Sequence, residues 1–137
     1  MLPDRTSPAN APRPQLFLVD GSPAWQPSRG RALVRYAPTG CPATAVLCMS
    51  GEFDFGTVGC LHEALDSVRS SRTERMVLDL AAVDFADAAL VHELTTAHYL
   101  PGRLILIGPL PRPVRHVLDL TGTRDLFQIE LDQSLAA

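Results

Sequence analysis

Thr44-Ala45-Val46-Leu47-Cys48-Met49 is an unbroken apolar run, and it constrains the fold more than any other feature of this chain. A strand with one wet face alternates apolar and polar residues; one without alternation must be covered on both faces, the usual condition inside a parallel sheet. Met76-Val77-Leu78 and Leu104-Ile105-Leu106-Ile107 repeat the pattern. Between these runs the period changes. Val58, Leu61, Leu65 and Val68 recur at helical spacing, as do Leu90, Leu94 and Ala97. A third stripe, Val114, Val117 and Leu118, opens near Pro113 and stops at Gly122, residues suited to a first helical turn and a C-terminal cap. Ala32 to Tyr36 predicts a strand closed by Pro38-Thr39-Gly40, and Phe127-Gln128-Ile129 predicts a short final one. This order predicts an α/β domain with a mixed, mostly parallel sheet of about five strands packed with three or four helices.

The chain of 137 residues suits a single domain. Residues 1–30 hold six of the twelve prolines, among Ser, Asn, Gly and Arg. Such a composition buries too little apolar surface to offset its ordering entropy, which predicts a disordered arm over 1–30 and a folded domain over 31–137. Leu16-Phe17-Leu18-Val19 interrupts the arm, either as a sticky patch in a flexible tail or as a run that pairs as an edge strand or docks on a partner.

A net charge of −3 gives no electrostatic ground for a nucleic-acid or anionic-membrane partner. No apolar run approaches the roughly 18 residues that would span a bilayer. Cys41, Cys48 and Cys60 lack the close spacing of metal or redox sites, and free thiols suit a reducing cytoplasm.

Val77-Leu78-Asp79-Leu80 reads as a buried strand ending at Asp79, with a short loop running to Asp87, which is placed to cap the next helix. Together with Ser50-Gly51-Glu52-Phe53-Asp54, Leu104-Ile105-Leu106-Ile107-Gly108-Pro109 and Val114-Arg115-His116-Val117-Leu118-Asp119-Leu120-Thr121-Gly122, this resembles the STAS domain of bacterial anti-sigma-factor antagonists over residues 32–131. In that family the loop typically reads Asp-Ser-Ser/Thr-Gly, and its second hydroxyl residue is phosphorylated by a partner kinase. Here the same positions are Asp87-Ala88-Ala89-Leu90. Ala89 is thus a degenerate phosphosite. Ala88 removes the neighbouring hydroxyl, and Thr95 and Thr96 lie about two turns deeper in the helix.

The resemblance implies a non-catalytic module that binds a kinase-like, ATP-binding anti-sigma factor. The contact surface it implies is Asp54, Asp87, Ala88, Ala89, Leu90, Val91 and Leu94. Asp87 and Asp54 have local alternatives, as a helix cap and as the start of the first helix. The other role open to the family is a ligand-sensing module or an accessory subunit of a lipid-transport complex. No cofactor or metal is implied. His92 and His98 stand six apart, which turns the second ring roughly 240° from the first, whereas one helix face holds a metal with histidines four apart. No nucleophile, base or phosphate-cradling motif forms a coherent set, so enzymatic activity is not expected.

Overall fold

The computed structural model describes residues 15–70 and 72–131. Among the described residues seven strands form one sheet whose spatial order is the chain order: β1 (Gln15–Val19), β2 (Ser22–Gln26), β3 (Ala32–Ala37), β4 (Thr44–Phe53), β5 (Arg75–Ala86), β6 (Arg103–Ile107) and β7 (Gln128–Glu130). The first three pairings are antiparallel and the last three parallel. Helices α1 (Gly59–Val68), α2 (Ala88–His98) and α3 (Arg112–Thr121) make the parallel crossovers, and a 3-10 turn at Arg124–Leu126 precedes β7. The α/β class holds, with two more strands than expected and three α-helices.

Each crossover joins adjacent strands and steps in the same direction across the sheet. Right-handed connections therefore place all three helices on one face. There Leu61 of α1, Leu90 and Leu94 of α2, and Val114 and Leu118 of α3 pack against Leu47, Leu78 and Leu106 in one core. Alternate residues of the same strands, Val46, Val77, Ile105 and Ile107, form a second buried cluster. The apolar runs are therefore buried on both faces. Gly122 ends α3 in the left-handed conformation, φ 69°, and its N–H closes back on the Asp119 carbonyl at 3.2 Å.

Two expectations need correction. The disordered arm does not extend over residues 15–26, which form a hairpin; residues 1–14 lie outside the described residues, as do residues 132–137. Asp20 and Gly21 take φ of 51° and 82°, the positive values that a two-residue hairpin turn requires. Trp25 then enters the core beside Val34, only 4% exposed. Burial of one indole gives this proline-containing segment the apolar surface its composition seemed to lack. Pro23 fits because the β2–β3 ladder begins one residue later, at Ala24 and Arg35, so its missing N–H costs no rung.

Nor does the strand after Met76 end at Asp79. It continues to Ala86. Pairing with β4 advances from Cys48–Asp79 to Ser50–Ala82, and from Gly51–Val83 to Glu52–Phe85, so β5 inserts an extra residue twice. Leu80, Val83 and Ala86 are buried at intervals of three. That interval hides the strand from a search for period two.

Candidate functional site

β4 and β5 are parallel neighbours, so their C-terminal ends emerge side by side, and the Asp87 N–H donates to the Phe53 carbonyl at 3.3 Å. Two turns leave from that point, one into α1 and one into α2. Between them lies an open groove of about 600 Å³, lined by Phe55, Val58, Asp87, Ala88, Ala89, His92 and Glu93.

On the α2 side, Asp87 is extended (φ −129°, ψ −170°) and its Oδ1 accepts the Ala89 N–H at 2.8 Å. This is the N-cap that the sequence predicted. Ala88 is exposed and Ala89 partly so, both presenting only methyl groups. The next residues turn inward. Leu90 and Leu94 are fully buried and Val91 is 5% exposed. Their expected place on a contact surface is overturned, because a helix entering the core directly after its cap hides the first large side chains. They anchor α2 to the sheet.

On the α1 side, Asp54 holds its own turn. Its Oδ1 accepts the Gly56 N–H at 2.9 Å and the Thr57 hydroxyl at 3.2 Å, and its carbonyl accepts the Val58 N–H at 2.9 Å. Thr57 is buried and donates its hydroxyl to the Glu52 carbonyl at 2.8 Å. Asp54 is committed to shaping the loop. The product of that shaping is Phe55, 89% exposed at the lip of the groove, a residue that no sequence motif singled out.

His62 and Glu93 tie the two helices together across the groove. His62 Nδ1 lies 2.8 Å from Glu93 Oε2, and its Nε2 lies 3.5 Å from Asp66. The hydrogen bond to Glu93 raises the His62 pKa above 6.5; partial burial opposes it, and the charges of Glu93, Asp66 and Glu63 add to it. A raised folded-state pKa stabilises the fold below the unfolded value and loses that contribution as pH rises through the folded one. Glu93→Gln is therefore expected to move the His62 midpoint down towards 6.5 in an NMR titration. An unchanged midpoint would refute the tie. His98 plays no part here; it packs edge-on against Phe127, with ring centres 5.8 Å apart. Among the described residues no cluster of three His, Cys, Asp or Glu could hold a metal ion, and no helix is long and apolar enough to cross a membrane.

No curated protein matches the chain. Among solved structures it is similar to an anti-sigma factor antagonist from Mycobacterium paratuberculosis, at 22% identity and a TM-score of 0.63, over 77% of this chain and 91% of that one. It is also similar to the anti-sigma factor antagonist SpoIIAA in its unphosphorylated form, at 17% identity and a TM-score of 0.53, over 74% of this chain and 91% of that one. Likeness at these identities speaks for the fold alone. Residues 37–136 match the model of the STAS domain, a span that takes in the groove, all three helices and the parallel half of the sheet. The chain belongs to the STAS domain family.

Proposed function

We propose that this protein is a non-catalytic binding module of the anti-sigma-factor-antagonist kind, acting in the cytoplasm. Its partner is a kinase-like, ATP-binding anti-sigma factor, docked over the groove at Phe55, Ala88 and Ala89. One observation carries this reading. The N-terminus of α2 meets solvent through two alanine methyls, with a bare phenyl ring beside them. Interfaces are enriched in aromatic side chains, and one exposed at the lip of a groove suits the role of an anchor.

The same alanines remove the switch. Phosphoryl transfer requires a hydroxyl in line with the γ-phosphate; a kinase positions that group but does not supply it. A phosphate at this helix N-terminus would add about 1.5–2 negative charges within the contact surface. With Ala89 in place the docked state has no such off-signal and is not reset by the partner.

The test is a binding titration against the kinase-like anti-sigma factors of the same genome, with ATP and magnesium. The native chain is expected to bind and stay unmodified, while Ala89→Ser binds and is phosphorylated. Phe55→Ala should leave the melting temperature unchanged and weaken binding by about tenfold or more. If neither the native chain nor Ala89→Ser bound any of these partners, the reading would fall.

A further inference from the structure

β1 is one of the two edge strands of the sheet, and among the described residues its edge carries none of the devices that keep edges apart. Gln15-Leu16-Phe17-Leu18-Val19 has no charge and no proline, and it pairs with β2 without a bulge. Exposed edges usually carry lysine, proline or a kink. Here Leu16 and Leu18 stand 65% and 67% exposed. The two-residue turn makes Val19 and Ser22 a hydrogen-bonded pair, and antiparallel pairing alternates from there. Gln15, Phe17 and Val19 therefore point their N–H and C=O groups at β2, and Leu16 and Leu18 point theirs outward. Among the described residues nothing pairs with that side.

The geometry points to this edge as the place where two copies of the chain join, β1 against β1, antiparallel about a two-fold axis at Phe17. In that register Leu16 bonds to Leu18 of the second copy and Leu18 to its Leu16. The outward N–H and C=O of both leucines are then all used, and Phe17 faces its own copy as the non-hydrogen-bonded pair. The occupant is a second copy because the strand complements itself. Leu-Phe-Leu reads the same in both directions, carries no charge, and needs nothing from a foreign sequence.

A neighbouring cleft supports the same register. Leu16, Pro23, Trp25, Tyr36 and Val68 line the apolar part of a hollow of about 370 Å³ on the helix side of the sheet, whose wall also holds serine and threonine hydroxyls but no charged side chain. Leu16 and Trp25 are cross-strand partners, so they share that face, and Leu18 lies on it too. Pairing at Phe17 brings Leu18 of the second copy beside Leu16, at the open margin of the hollow. Two half-covered strips then close on each other.

Sedimentation across a wide range of concentration tests the proposal on the full chain. The native protein is expected to shift towards twice the chain mass as concentration rises. Leu18→Pro removes only an outward donor and spares every bond to β2; it should weaken association by about tenfold or more with an unchanged circular dichroism spectrum. Leu18→Lys keeps the backbone donor, places like charges on both copies, and should do the same. Phe17→Cys, in a Cys41→Ser background, should cross-link to its own copy under mild oxidation, because non-hydrogen-bonded partners stand about 4.5 Å apart at Cα. Leu16→Cys should not. A monomer at every concentration would overturn the proposal, as would a dimer that survives both Leu18 variants.

Discussion

Gly51→Ala is expected to destabilise the domain by about 3 kcal/mol or more, the largest effect of any glycine-to-alanine change among the described residues. Gly51 sits in β4 at φ +93°, where an L side chain is strained, and a Cβ there would lie 1.6 Å from the Arg31 carbonyl oxygen and 2.7 Å from its carbon. Those atoms are backbone and cannot swing aside. Nor can Arg31 retreat cheaply, since its carbonyl accepts the Glu52 N–H at 2.9 Å. Gly40 supplies the control. It has φ +77° with nothing within 4 Å of a new Cβ, so Gly40→Ala meets backbone strain alone, about 1 kcal/mol. Urea denaturation of both variants separates strain from collision, and equal losses would show that the β3–β4 junction yields. The junction lies just before Phe53 and Asp54, so a shift there should also displace Phe55 from the lip of the groove.

Leu90→Ala should cost about 2–5 kcal/mol, the range for emptying a core position that cannot fully collapse. Leu90 is fully buried although it stands only three residues past the cap at Asp87. Leu120→Ala offers the comparison, because that leucine is 72% exposed on α3 and its loss should fall within about 0.5 kcal/mol of zero. Equal chemical-denaturation midpoints for the two variants would contradict the packing described for α2. The contrast bears on any attempt to rebuild the family loop. Hydroxyls at Ala88 and Ala89 would add oxygen at an accessible helix end. Glycine at Leu90 would remove a core side chain and add the helix penalty of about 1 kcal/mol. The exposed alanines and the buried leucine are adjacent in sequence and belong to different structural problems.

Much of the architecture was legible because its signals are local. Val114, Val117, Leu118 and Gly122 define α3 by spacing and by one positive-φ cap, and both survive folding unchanged. Elsewhere the signal was altered or overlooked. In β5 the two inserted residues stretch the buried interval from two to three, so Leu80, Val83 and Ala86 imitate a loop. In the hairpin the turn pair Asp20-Gly21 was present, but the prolines around it dominated the composition, and the deciding fact, the burial of Trp25 against a core made elsewhere, is not local. The groove divides in the same way. Asp87 could be placed because capping depends on three or four consecutive residues. Phe55 and His62 on the α1 side meet His92 and Glu93 of α2 only through the side-by-side ends of β4 and β5.

The strand order has a consequence for how the molecule is made. Every strand of the sheet lies beside the strand that immediately precedes it in the chain, from β1 to β7 without exception. No early strand must wait for a late one before it can pair, and the loops to be closed stay short by the standards of parallel sheets. Synthesis from the N-terminus thus delivers each new strand after the neighbour it pairs with, so no pairing partner is missing when a strand appears.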